Sequence, residues 1–234
     1  MKNGTTAHAD FAVVMMVKDD GDIIGESVTR WHELGAKIYI CDNGSTDGTF
    51  EFLEYLQHNG IVHYLESDPA KAYVMHERIG RLKDRALGDG AAWIFPADAD
   101  EFWHFGGDTV PEYLERLDAK DGDWFKVLYF DVAPNGKKWL VYPFHKCFGR
   151  ITKEQEICIG NHLVTTGEGK DCQSLIIEHF PVRSFEQMKK KLINHMEAFA
   201  AAGYDHPHRQ RIAEWQANPE AFFAKMWKQY NFEK

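Results

Sequence analysis

The sequence predicts an α/β protein: a mainly parallel, Rossmann-type sheet with helices on both faces, followed by an antiparallel and then helical C-terminal part. Three observations predict it. Short apolar runs alternate with helical periods through the first hundred residues, the pattern of strand–helix–strand units joined by crossover connections. A polar, turn-rich loop follows three of those runs. After Phe105 the texture changes to strand-like stretches around Asn135-Gly136, a strong hairpin signal, and from Ser184 onward to helical spacing.

Each element of the first half follows from its residues. Phe11–Val17 is an apolar run between polar flanks, as a strand covered on both faces should be. Residues 18–22 form a polar loop with helix-start carboxylates. Ile23, Ile24, Val28, Trp31 and Leu34 then recur at helical spacing until Gly35 stops the helix. Residues 36–41 read as the second strand and 42–49 as a dense turn cluster. Phe50, Leu53 and Leu56 open a second helix that ends near Gly60. A third strand is expected over 61–65, a helix over 71–87, and a fourth strand over 91–95 that runs into Asp98, Asp100 and Glu101.

In the second half a helix is expected over 110–117, with strands over Trp124–Val132, 137–141, 144–151, 157–164 and 175–180. Ser184 and Gln187 fit a capping box, after which Phe185, Met188, Leu192, His195, Met196 and Phe199 follow one helix face. A last helix carries Trp215, Phe222, Phe223, Met226, Trp227 and Tyr230. No repeat, low-complexity tract or linker interrupts the chain. The expectation is a single domain over 1–234, with a ligand-binding half (10–105), an acceptor half (106–183) and C-terminal helices (184–234).

Composition narrows the function. With 234 residues, 44% of them hydrophobic, the chain can bury a substantial core. A formal net charge of −9 without a long basic run argues against a nucleic-acid partner, which is held through neutralised phosphates. The longest clean apolar run, Phe11–Val17, is far short of the roughly 20 residues a membrane span needs. The first ten residues carry no hydrophobic signal segment. Cys41, Cys147, Cys158 and Cys172 are too scattered for a disulfide framework, so free thiols in the cytoplasm are expected. The stretch 221–234 mixes aromatic residues with Lys225, Lys228 and Lys234. It suits core packing, and peripheral contact with the inner face of a membrane as well.

In a doubly wound sheet, ligands bind beyond the carboxyl ends of the strands. The loops 18–22, 42–47 and 98–101 should therefore converge there. Asp98 and Asp100, two apart in extended chain, should project to one side. Paired carboxylates suit a hard cation, Mn²⁺ or Mg²⁺, which completes its shell with phosphate oxygens and water.

These segments resemble the nucleotide-sugar glycosyltransferases of the GT-A fold, in the large family-2 group. The stretch DNGSTDGT over 42–49 is similar to that family's D-N-x-S-x-D-G-T loop. The stretch DADEF over 98–102 resembles its D-x-D-E-F form of the metal motif. Lys146 with Arg150, Gly160 with His162, and His179 with Arg183 and Ser184 are similar to later K-x-x-x-R, G-x-H and H-x-x-x-R-S elements. The acidic E-D helix that supplies the catalytic base in better-known members is not apparent.

The resemblance implies a metal-dependent, inverting transfer of a sugar from a nucleotide-diphosphate donor, with a UDP-sugar favoured, to a glycan or lipid-linked acceptor hydroxyl. It places Lys18, Asp19, Asp42, Asp98 and Lys146 at the nucleotide. Asp98, Asp100 and His179 fall at the metal, and Arg183 at the leaving diphosphate. Asp47 is read as a cap of the following helix, and Glu101 as a partner of a basic residue. For the base, His162, Asp131, Glu168 and Asp171 stay open. The alternatives are a non-catalytic nucleotide- or carbohydrate-binding module on the same fold and a nucleotidyltransferase. The latter normally carries a Gly-rich phosphate loop with Arg and Lys after strand one, and residues 18–22 lack one.

Overall fold

A computed structural model of the chain describes residues 10–70, 75–202 and 208–231. The apolar run Phe11–Val17 forms β1, and only Met16 within it is not fully buried. Parallel neighbours flank β1: β2 (Lys37–Asp42) on one side and β4 (Trp93–Pro96) on the other, with β3 (Tyr64–Ser67) parallel to β2. The crossovers are α1 (Ile24–Glu33), α2 (Thr49–His58) and α3 (Met75–Gly88). Alternate residues of β1 serve opposite faces. Val13, Met15 and Val17 pack with Ile24, Val28 and Trp31 of α1 and Leu53 of α2. Ala12 and Val14 pack with Met75, Ile79 and Leu82 of α3. Burying each such Val, Ile or Leu contributes about 1.5–3 kcal/mol, and helices cover both faces as expected.

The second half extends the same sheet. It comprises β5 (Glu101–His104), α4 (Val110–Arg116), β6 (Trp124–Val132), β7 (Lys138–Leu140), β8 (Lys146–Gly149) and β9 (Lys170–His179). The strand order is β3-β2-β1-β4-β8-β6-β9-β5, with β7 hairpinned onto β6. In this half β8 is antiparallel to β4 and β6, β9 is parallel to β6, and β5 is antiparallel to β9. Helices α5 (Phe185–Ala202), α6 (His208–Ala217) and α7 (Pro219–Asn231) follow. A separate apolar cluster ties α5 to α7 through Met188, Leu192, Phe222, Phe223 and Met226. The apolar side of 221–231 is thus used in helix packing; residues 232–234 of that stretch lie outside the described residues.

Several boundaries differ from expectation for local reasons. Residues 61 and 62 donate to Leu56 O and close the last turn of α2, so β3 begins later. Ala91 N likewise closes α3 on Ala86 O, which delays β4 to Trp93. Of the helix expected over 71–87, residues 71–74 lie outside the described residues. The stretch 157–164 is not a strand. Ile157 and Val164 make one isolated bridge around a 3-10 turn over Ile159–Asn161, where Gly160 (φ 78°) reverses the chain. β5 was not expected, and β9 starts five residues before the expected 175. The single last helix is two, because Asn218 Oδ1 accepts from Ala221 N at 3.1 Å and Pro219 starts a new helix. All four cysteines are free thiols.

Candidate functional site

The three polar loops converge as expected at the carboxyl ends of the parallel strands. They border a cavity of about 360 Å³ to which Lys18, Asp20, Asn43, Asp98 and Asp100 contribute, closed on its far side by residues of α5. The loops are stapled to each other. Lys18 Nζ donates to Asn43 O (2.8 Å) and Gly44 O (2.9 Å). Asp19, in the left-handed region at φ 55°, accepts from Thr46 N at 2.7 Å and from Asn194 Nδ2 of α5 at 2.8 Å. Asp42 Oδ1 accepts from Gly44 N (2.9 Å) and Ser45 N (3.0 Å), while its Oδ2 is buried without a partner among the described residues. Asp47 holds the start of α2 through Thr49 N (3.1 Å).

Asp98 and Asp100 both reach the cavity, but not through extended chain. Glu101 N donates to Asp98 O (3.2 Å), and Glu101 Oε2 accepts from Asp98 N (3.2 Å), so 98–101 is a turn. The two carboxylates then diverge. Asp98 Oδ2 meets Lys146 Nζ at 2.7 Å and its Oδ1 meets Asn161 Nδ2 at 3.1 Å. Lys146, brought by β8 and buried, also meets Glu101 Oε1 at 2.7 Å and Gly160 O at 3.0 Å. Burial lowers the lysine's proton affinity, but Asp98 and Glu101 outweigh it and raise its pKa. Glu101 thus has the basic partner expected of it, and Lys146 is locked behind the turn.

Asp100 faces the other way. Its Oδ2 meets Lys191 Nζ at 2.5 Å and Arg183 Nη1 at 3.5 Å, and its Oδ1 lies 3.4 Å from His179 Nε2. Burial alone would raise its pKa; Lys191 and then His179 hold it well below the usual carboxylate range. The strand register delivers His179. In β9 it sits beside Glu101 of β5 and Asp131 of β6, and Asp131 Oδ1 accepts from its Nδ1 at 2.7 Å. Burial disfavours the imidazolium, yet Asp100 and Asp131 push the His179 pKa up to about 9. Arg183 makes a bidentate pair with Asp22 (2.7 Å to each oxygen) and reaches Asp20 at 3.4 Å.

His162, also on the cavity, is a different kind of histidine. Its Nδ1 lies 2.6 Å from His145 O, so Nδ1 is the protonated nitrogen and Nε2 carries the lone pair. Burial keeps its pKa below the usual value, so it is neutral at pH 7.

The donor chemistry fits a hard divalent cation at one point. Asp100 Oδ1 and His179 Nε2, 3.4 Å apart, are close enough to ligate one ion with bonds of about 2.1 Å, the ion displacing the Nε2 proton that the pair shares. Asp131 on the other ring nitrogen is the outer-shell carboxylate such a ligand needs. Among the described residues no group of three or more His, Cys, Asp and Glu side chains is placed to hold a metal ion. Asp98 already spends its oxygens on Lys146 and Asn161. Of the sequence-expected site residues, Lys18, Asp19, Asp98, Asp100, Lys146, His162 and His179 line the cavity, Asp131 stands behind His179 and Arg183 beside Asp100. Glu168 and Asp171 do not line it, and Asp171 lies eight residues before His179 toward the other end of β9. Sequence reasoning missed Asn161, Asn194 and Lys191. For Lys191 a signal existed: with Met188, Leu192 and His195 it lies on the inward stripe of α5.

Comparison with protein-family models gives no match, and neither does comparison with curated protein sequences. Solved structures do match. The mannosyltransferase PcManGT from Pyrobaculum calidifontis, in complex with GDP-Man and Mn²⁺, superposes with a TM-score of 0.50 at 12% identity, over 95% of this chain and 74% of that one. S. aureus TarS gives a TM-score of 0.42 at 11% identity over 87% of this chain, which spans 42% of that TarS chain. TarS 1-349 in complex with UDP gives 0.40 at 12% identity over 87% of this chain and 69% of that one. At such identities the likeness to PcManGT establishes the fold, and the chain has a glycosyltransferase-like α/β fold. No helix among the described residues is long and apolar enough to cross a membrane.

Proposed function

We propose that this protein is a metal-dependent glycosyltransferase. It moves a sugar from a nucleotide-diphosphate donor, with a UDP-sugar favoured, to an acceptor hydroxyl with inversion. The observation that carries this reading is the pairing of Asp100 Oδ1 with His179 Nε2, backed by Asp131, on the cavity that also holds neutral His162. Asp100 and His179 would hold Mn²⁺ or Mg²⁺. When bound, such an ion neutralises charge on the departing diphosphate. Arg183 adds positive charge beside Asp100. Asp42 Oδ2, buried with no partner among the described residues, would accept from an imide N–H of the base, and Lys18 and Asp19 shape the loops around it. Asp98, held by Lys146, orders the turn from which Asp100 projects and faces the ribose. His162 Nε2 takes the proton of the attacking hydroxyl; its neutral state at pH 7 is what a general base requires. The acceptor is a glycan or lipid-linked sugar, met in the cytoplasm at the inner face of the membrane.

The test is a melting panel of UDP, GDP and CDP with and without Mn²⁺, followed by donor hydrolysis. A ligand at about 100 times its Kd should stabilise the protein by about 2.7 kcal/mol. Asp100→Asn should lower hydrolysis at least about 100-fold in a protein that still folds. His162→Gln should lower it by about 10²–10⁴-fold while nucleotide binding persists. A panel in which no nucleotide gives a metal-dependent shift would overturn the reading. Nucleotide binding without turnover would leave a binding module.

A further inference from the structure

Among the described residues, Lys146, Lys18, Arg183 and Lys191 bring lysine or arginine charge to the cavity or its edge, and their partners sort them. Lys146 is 4% exposed and held by Asp98, Glu101 and Gly160 O. Lys18 Nζ is spent on two loop carbonyls. Arg183 is 14% exposed and clamped bidentately on Asp22. Lys191 differs from all three. It lines the cavity, is 31% exposed, and its partner among the described residues is Asp100 Oδ2. An ammonium has three N–H donors, so two remain to be used.

Its position is fixed by the rest of α5. One turn on, Asn194 donates to Asp19 at 2.8 Å, and Lys190 reaches Asp19 at 3.0 Å, so the helix is fastened to the loop after β1. That fastening sets Lys191 on the cavity wall, against the carboxylate whose other oxygen faces His179. An anion entering between the loops and α5 therefore meets Lys191 on the same side as the Asp100–His179 pair. We propose that Lys191 is a diphosphate-binding residue, donating its free N–H groups to nonbridging phosphate oxygens of the nucleotide while Asp100 orients it. This inference rests on the cavity being a nucleotide-diphosphate site. Charge-assisted contacts of this kind are about twice as strong as neutral ones.

Titration calorimetry of UDP and UMP against wild type, Lys191→Met and Lys191→Arg, all with Mn²⁺, tests it. GDP and GMP serve as the second pair, and far-UV circular dichroism checks folding. Lys191→Met should weaken diphosphate binding about 10- to 100-fold and leave monophosphate binding within about twofold. Lys191→Arg should restore most of the loss. Equal weakening of both ligands, or of neither, would overturn the inference while sparing the reading of the cavity. Should Lys191→Met fail to fold, Lys191→Gln replaces it under the same criterion. Wild-type protein that binds neither diphosphate would remove the reading and the inference together.

Discussion

Two aspartates in one turn, two residues apart, have opposite surroundings. Asp98 joins Glu101 and Lys146 in a network whose lysine is 4% exposed. Asp100 joins His179, Arg183 and Lys191, and Lys191 lies open to the cavity. In the first cluster Lys146 and Glu101 are buried and Asp98 is the part that meets the cavity. In the second, the open lysine has donors to spare. The contrast teaches that two carboxylates close in sequence need not share partners: one aspartate is tied to Lys146 and Asn161, the other to Lys191, Arg183 and His179.

The comparison can be broken first at the closed cluster. Lys146→Met leaves Asp98 and the buried Glu101 without their lysine, which should cost about 3–5 kcal/mol in chemical denaturation. Lys191→Met, beside the other aspartate, should cost less than that, because His179 and Arg183 still face Asp100. Equal losses would erase the distinction between the clusters.

At the open cluster, Asp131→Ala removes the carboxylate that orients His179 without touching Asp100. Mn²⁺ affinity in the presence of UDP should fall about 10- to 100-fold. An unchanged Mn²⁺ titration would deny Asp131 its positioning role.

The mildest effect is a reference from outside the cavity. Arg78, fully buried in α3, donates to Asp68 and, with Arg81, holds the Asp68 pKa down to about 2. A carboxylate with a lowered folded pKa stabilises the fold above its unfolded value, about 3.9, and that contribution is lost as pH falls through about 2. Asp68→Asn should therefore flatten the stability-versus-pH curve between about pH 4 and 2 and leave its shape above pH 5 unchanged. A retained acid slope would place the titrating group in one of the cavity clusters instead.

Much of this was legible beforehand, and the reason is locality. The run Phe11–Val17 could only be a covered strand. The loop signals of 42–49 and 98–101 belong to chain that is contiguous, so the convergence of three loops at one sheet edge follows from parallel strand order. Asp47 and Glu101 could be read for the same reason, because their partners are near in sequence or of an expected type. Where residues 157–164 looked like strand, hydrophobic content misled, because Gly160 and Asn161 both adopt positive φ and turn the chain.

By itself, then, the sequence determined the strand–helix alternation, the sheet edge where the three loops gather and the presence of two carboxylates there. Only the tertiary structure decided what each carboxylate meets. Lys146 is 48 residues from Asp98 and Lys191 is 91 from Asp100, and Asp131 joins His179 only because β6 and β9 pair in that register. Hydrophobic periodicity specifies which face of an element is buried. Which charges then share that burial depends on how distant elements pack, and spacing along the chain carries no such information.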